Sequence, residues 1–326
     1  MSAFNRIMTR RAFVGALAAS AALGASTTRA QDIGGILGRV TGDLLGELGV
    51  DDWLAGEAPI STQLSDAVWG DPVLDGVTPP VAPAHLGNLE RTPNGGFILE
   101  PGYWQFTTQS YCLHAGTHGP GGGDGYLYAP IRGSQEEAVR DVLRNSVSRP
   151  DIEQRDIQVL IWAILARTKF EDLRPRLQAV AAALLTREQL ASLNRSAMDI
   201  VPRRSMGRVL GELPGPLRSA FRAEADLRRR LTTGSSTYGQ LEEIAVLTGD
   251  APLGEGSRAI PRGRWNDHPD GYRIRYFPSG YSRTQTEIWV EDNSAGVGAE
   301  YDPSVHVAVP GNTARQRLAQ SGRERV

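Results

Sequence analysis

The sequence predicts an α+β fold: a central bundle of about five helices with flanking antiparallel strands that can pair into one sheet. Three observations predict it. Helical patterns follow one another through residues 134–248, β-favouring residues precede them at 97–112, and β-favouring residues return at 271–310. Since strands on both sides of the helices need hydrogen-bond partners, one shared sheet accounts for both sets.

The first 30 residues have the features of an export signal. Arg6, Arg10 and Arg11 precede an apolar run of small residues that ends near Ala25. This run is shorter than the roughly 20 residues that span a bilayer. The segment Thr9-Arg10-Arg11-Ala12-Phe13-Val14 resembles the twin-arginine export signal. The resemblance covers about the first 30 residues, and it implies a periplasmic or secreted bacterial protein that is exported by the twin-arginine route.

The chain after the signal is predicted in three parts. Residues 31–92 form an arm. Its first part, 33–48, has apolar residues at helical spacing with a glycine at every fourth position, so an amphipathic helix that docks on a partner and a loose arm are both open. Residues 93–310 form a single α+β domain. Residues 311–326 are polar and rich in arginine, which predicts a frayed tail.

Local patterns place the elements of the domain. Strands are predicted within 97–112, and Ser134 with Glu137 fits a capping box that opens the first helix. Residues 156–168 are apolar on nearly every side and predict a buried central helix. Further helices are predicted at 174–185, 186–193, 216–231 and 236–248, followed by a hairpin at 271–292 and a short strand at 304–310.

Charge and motifs exclude several classes of function. The whole chain has a formal net charge of −2, and residues 1–30 supply +4, which leaves −6 for the rest. An acidic surface argues against a nucleic-acid partner. The sequence has no haem, nucleotide-binding or iron–sulfur motif, and no integral membrane span is expected after removal of the signal. The cofactor is unknown, with a metal ion bound by His and Asp as one candidate.

The stretch SYCLHAGTHGPGGGDGYLYAP, residues 110–130, holds the only cysteine, two of the five histidines and a glycine run that ends at Asp124. A thiol near a histidine base and glycine amides has the composition of a nucleophilic site, so the candidate catalytic residues are Cys112, His114 and His268, with His306 as another possible base. A free cysteine is also commonly a small buried core residue, which is the interpretation that we favour.

Metal binding and ligand binding are the other two candidates. His114, His118 and Asp124 are a possible metal set, to which His268 with Asp267 and Asp270 could contribute, although their spacing follows no known pattern. The 110–130 and 265–272 stretches both carry His with Asp-Gly-Tyr, so we expect them to meet in one site. Aromatic faces suit sugar or peptide ligands. The candidate ligand-binding residues are Tyr103, Trp104, Asp124, Tyr126, Trp265, Asp270 and Tyr272.

Two functions from different classes are therefore expected. The first is a non-catalytic binding or structural protein of the cell envelope, whose partner is an envelope polymer, a peptide or another protein. The alternative is a hydrolase that uses Cys112 as its nucleophile or a metal ion bound by His and Asp.

Overall fold

The computed structural model describes residues 57–198, 215–234 and 236–325. The predicted signal peptide and the predicted helix at 33–48 lie outside these residues. The described helices are α1 (Glu136–Ser146), α2 (Gln154–Leu165), α3 (Pro175–Leu184), α4 (Arg187–Arg195), α5 (Gly215–Thr233) and α6 (Tyr238–Ala245). The described strands are β1 (Ala84–His85), β2 (Phe97–Ile98), β3 (Gly102–Cys112), β4 (Thr117–His118), β5 (Tyr126–Pro130), β6 (Val246–Leu247), β7 (Asn266–Asp267), β8 (Arg273–Pro278), β9 (Arg283–Val290), β10 (Glu300–Tyr301), β11 (His306–Pro310) and β12 (Leu318–Glu324).

The predicted helical bundle with flanking strands is wrong, because the dominant element is a sheet. Seven antiparallel strands follow one another in the order β5-β11-β12-β3-β9-β8-β7, and β1 joins β3 in parallel. The sheet curls until its two edges meet. At that seam the backbone N–H of Tyr128 in β5 donates to Oδ1 of Asn266 in β7 at 2.8 Å. The result is a nearly closed barrel with the helices on its outside.

Two apolar cores follow from the alternation of side chains along the strands. Tyr126 and Tyr128 of β5 point into the barrel, where they join Phe106, Ile288 and other residues of one cluster. Leu127 and Ala129 point outwards into a second cluster that includes the helices. The helices therefore cover one side of the barrel and do not form the centre of the fold.

The strand that explains the error is β12. Residues 311–326 are expected to be a frayed tail, yet Leu318–Glu324 pairs with β11 on one side and with β3 on the other. Gln320 and Ser321 are fully buried there. The segment has no β-branched or aromatic residue, so it lacks the usual strand signal. β12 joins the β5–β11 pair to the part of the sheet that contains β3 and β9, so a prediction without β12 cannot produce one continuous sheet.

Several local predictions are confirmed. The apolar helix is α2, in which eight residues from Ile157 to Leu165 are buried, and the 271–292 hairpin is β8 paired with β9. The capping box at Ser134 is wrong: α1 begins at Glu136, and the Ser134 hydroxyl donates instead to the carbonyl of Ala58. Capping boxes occur at α4 and α6, each opened by a threonine.

The described part of the arm lies along the free edge of β5. The N–H of Ser61 donates to the carbonyl of Arg132, and the N–H of Val68 donates to the carbonyl of Tyr128, both at 2.8 Å. Between them, the Thr62 hydroxyl donates to the carbonyl of Pro130 at 3.2 Å. These bonds satisfy strand groups that β11 does not reach. Of the helices in the described residues, none is both long and apolar enough to cross a lipid bilayer.

Candidate functional site

Cys112 ends β3 and is fully buried. The side chain of Gln158 in α2 bonds its backbone on both sides: the Cys112 N–H donates to Gln158 Oε1 at 2.8 Å, and Gln158 Nε2 donates to the Cys112 carbonyl at 3.2 Å. Burial raises the pKa of the Cys112 thiol well above its ordinary value, and the charge of Glu242 adds to this. The thiol is therefore protonated near neutral pH and shielded from solvent, as in a packed core cysteine.

The glycine-rich turn, residues 119–125, is held by other segments of the same chain. Asp124 forms an ion pair with Arg315 and accepts a hydrogen bond from the Gly121 N–H at 3.0 Å. The Gly125 N–H donates to the Ile260 carbonyl at 3.1 Å. His118 lies in β4, beside β6. These contacts give Asp124 a structural partner and place the turn against residues 260–262.

The composite site expected from residues 110–130 and 265–272 takes a different form. The two stretches meet at Tyr128, whose ring lies 4.5 Å from the ring of His268. His268 also stacks on Tyr272, with ring centroids 4.2 Å apart. The contact is thus between the strand end and the second loop, and it does not involve the glycine-rich turn, which faces residues 260–262.

Most of the predicted ligand-binding aromatics are core residues. Trp265, Tyr126 and Tyr272 are each at most 1% exposed. Tyr103 is 5% exposed and donates to Glu287. Trp104 is half-buried, and only the Asp270 side chain, at 55%, is well exposed. As placed, the buried rings support the barrel and leave little surface for a ligand.

A cleft of about 350 Å³ lies on the helical side of the molecule, between α2, α3, α5 and α6. Its volume falls in the range of small-molecule sites, roughly 300–1,000 Å³. The lining combines charged ends of helices with apolar side chains and one tyrosine. The lining residues are Glu153, Arg155, Asp156, Val159, Arg174, Arg176, Leu177, Leu231, Ser236, Thr237, Tyr238 and Leu241.

The charges in this cleft do not cancel. Arg176 pairs with Asp156 at 2.7 Å and reaches Glu153 at 3.5 Å, and the bond to Asp156 raises the pKa of Arg176. Arg155 has its guanidinium 5.3 Å from the centre of the Tyr238 ring, and Arg174 donates to the carbonyl of Ser236 at 2.6 Å. Within the described part of the chain, Arg155 and Arg174 have no carboxylate at ion-pair distance. The cleft therefore carries excess positive charge.

Tyr238 is held in place at the wall of the cleft. The Thr237 side chain caps α6, so Tyr238 occupies the first position of that helix. Its ring packs 5.5 Å from the ring of Trp162, and its hydroxyl lies 2.8 Å from the hydroxyl of Tyr281, which in turn donates to Glu242. Burial raises the pKa of Tyr238 to about 12, so the phenol stays neutral.

Comparison with known proteins gives no relative from which a function could be inferred, so a function must be argued from the geometry of this structure. No family model, curated protein or solved structure matches this chain. Across residues 57–198, 215–234 and 236–325, no three His, Cys, Asp or Glu side chains converge to hold a metal ion, and this includes the predicted set of His114, His118 and Asp124.

Sequence reasoning missed the cleft because its residues are far apart in the chain. Arg155 lies in α2, Arg174 directly before α3 and Tyr238 in α6, and none of them belongs to a motif. One usable signal exists: Arg174 and Arg176 flank Pro175, a residue that favours the first turn of a helix. Cations at a helix start are unfavourable for the helix dipole, so two arginines there call for an acidic partner or an anionic ligand.

Proposed function

We propose that the protein is an exported, non-catalytic binding protein of the bacterial cell envelope, which holds an anionic group of a peptide or sugar ligand in the cleft between α2, α3, α5 and α6. One observation supports this proposal above the others. Arg155 and Arg174 face the cleft without a carboxylate partner among the described residues. A guanidinium offers a planar fork that matches a carboxylate, and such bonds are among the stronger hydrogen bonds in proteins.

The rest of the cleft limits the ligand. Leu177, Leu231 and Leu241 supply apolar surface, and the Tyr238 ring supplies a flat face for a sugar or a peptide side chain. Glu153 and Asp156 occupy one end and repel a second anionic group, although Arg176 offsets part of their charge. A ligand with a single carboxylate next to an apolar or ring-shaped part fits this arrangement.

The hydrolase alternative has less support. A cysteine nucleophile acts as a thiolate at a site that substrate can reach. Cys112 has neither property, because it is fully buried and its thiol pKa is raised.

Binding of soluble peptidoglycan fragments that carry one free carboxylate on a sugar and peptide frame tests the proposal. Isothermal titration calorimetry would compare native fragments with fragments whose carboxylate is amidated. We expect binding of the native fragments only, with the affinity falling about tenfold or more in Arg155→Gln and in Arg174→Gln, since a hydrogen bond to a charged group contributes about 1.5–3 kcal/mol.

Arg187→Gln is the matched control, because Arg187 is an exposed arginine at the start of α4, past the end of α3 that lies away from Arg174 and the cleft. Its affinity for the fragments should equal that of the unmodified protein. Equal binding of native and amidated fragments, or unchanged affinity in both cleft variants, would contradict the proposal.

Export is tested separately by the pair Arg10 and Arg11. The twin-arginine translocase reads guanidinium groups, so replacing both residues with lysine should retain the precursor in the cytoplasm although the charge is kept. Cell fractionation followed by immunoblotting measures this. Normal export of the variant would exclude the twin-arginine route.

A further inference from the structure

A group of side chains with possible metal-binding atoms lies at the seam of the barrel, apart from the residues that line the cleft. His268 directly follows β7, Tyr272 precedes β8, and His306 begins β11. Their exposed fractions are 8%, 1% and 2%. β7 and β8 are neighbours at one end of the strand order, and the curling of the sheet brings them against β11, which lies near the other end.

The donor atoms of the three side chains converge. His268 Nε2 lies 3.0 Å from His306 Nε2, and the Tyr272 hydroxyl oxygen lies 3.4 Å from His306 Nε2. In a tetrahedral site with metal–ligand bonds of about 2.0–2.1 Å, neighbouring donor atoms are roughly 3.3 Å apart. The observed spacings are close to this value. The cluster contains only two residues of the His, Cys, Asp and Glu set, and the tyrosine supplies the third donor.

The surroundings provide an outer partner for one of the two imidazoles, that of His268. The Asp270 carboxylate lies 3.5 Å from His268 Nδ1, on the side of the ring away from His306. Such a carboxylate accepts the remaining imidazole N–H and orients the ring. On the other side, the ring of Tyr301 stacks on His306 with centroids 5.0 Å apart, and Tyr128 packs against both histidines. The site is thus enclosed by aromatic rings, with the exposed Asp270 at its rim.

We propose that His268 Nε2, His306 Nε2 and Tyr272 Oη bind one divalent first-row transition metal ion. Imidazole suits Cu²⁺ and Zn²⁺, and Cu²⁺ is bound most tightly in the general order of affinities. Water fills the fourth position, as is usual where three protein groups bind zinc.

Proton positions change when the metal binds. Without metal, the Asp270 N–H donates to His268 Nδ1 at 3.2 Å, so the proton of neutral His268 is on Nε2 and points at His306. Coordination through Nε2 moves this proton to Nδ1, where the Asp270 carboxylate accepts it. Tyr272 coordinates as phenolate, and its proton passes to solvent, so one proton is released for each metal ion bound.

Titration of the exported chain with Cu²⁺ and Zn²⁺ tests this site. Calorimetry should give one ion per chain, and Cu²⁺ should produce a visible phenolate-to-copper charge-transfer band. Tyr272→Phe should remove the band. His268→Gln and His306→Gln should each weaken Cu²⁺ binding by at least tenfold, and Asp270→Asn by about 10- to 100-fold, as for other outer partners of metal ligands.

His85→Gln is the matched control, because His85 is a half-exposed histidine beside Glu324, in β1 and remote from the seam. It should bind Cu²⁺ as the unmodified chain does. If the histidine variants do not fold by circular dichroism, Tyr272→Phe and Asp270→Asn decide the question, since both are close in shape to the original residues. Absence of stoichiometric binding, a band that persists in Tyr272→Phe, or loss of binding in His85→Gln would overturn the inference.

Discussion

Replacing Asn266 with alanine tests how side chains close the barrel. Asn266 is fully buried and makes three hydrogen bonds: its Oδ1 accepts from the Tyr128 N–H at 2.8 Å, and its Nδ2 donates to the carbonyls of Arg264 at 2.8 Å and Ile274 at 3.2 Å. Alanine leaves the buried Tyr128 N–H without this acceptor, which costs about 1–3 kcal/mol, and removes two bonds of about 1 kcal/mol each. The expected loss in the free energy of unfolding is about 3–5 kcal/mol.

Equilibrium unfolding in urea, followed by tryptophan fluorescence, measures this loss. Asn145→Ala is the matched control, because among the residues that the structure describes the Asn145 side chain makes a single hydrogen bond, from Nδ2 to the Leu184 carbonyl at 2.8 Å, on the helical side. It should cost about 1 kcal/mol. If Asn266→Ala cost no more than the control, the claim that this amide closes the seam would be refuted.

Three further predictions concern stability and reactivity. Trp162→Ala removes a fully buried side chain of the outer core and should cost about 3–5 kcal/mol, so an unchanged melting temperature would contradict its placement. Cys112 should react with a thiol reagent at pH 8 only as fast as the protein unfolds, because burial raises its pKa, and fast labelling of the folded protein would argue for a reactive thiol. Glu287 forms an ion pair with buried Arg275 at 2.6 Å, so Glu287→Ala leaves a buried charge unpaired and should lower the free energy of unfolding in urea by about 3–5 kcal/mol. A double variant with Glu287→Leu and Arg275→Met removes both charges and should recover most of this loss. Equal stability of the single and double variants would refute the expected cost of the unpaired arginine.

Elements with strong local patterns were predictable from the sequence. The apolar run of α2 and the alternation around the turn between β8 and β9 each carry their own signal within a short window. The sheet as a whole was not predictable in this way. Strand β3 pairs with β9 and β12, which follow it by more than 170 residues, and such pairings depend on contacts that no local window contains.

The candidate sites show the same limit. Sequence reasoning singled out residues by chemical type and closeness in the chain, which drew attention to Cys112 and the glycine-rich turn. Burial then decides what such residues can do, and burial depends on tertiary packing. His268 was considered as a base or as a metal ligand and Tyr272 as a ligand-binding residue, and their approach to His306 follows only from the curling of the sheet.

The hydrogen bonds between the arm and β5 bear on the resistance of the protein to aggregation. An open strand edge is a template on which a second chain can add, and natural proteins protect such edges against aggregation. Here the protection is a short stretch, residues 61–68, that precedes the barrel in the chain. A protease cut after Val68, followed by loss of the preceding segment, would expose this edge together with the core surface that Ile60, Leu64 and Ala67 cover. The clipped protein should then form oligomers through β5, while the intact chain stays dispersed.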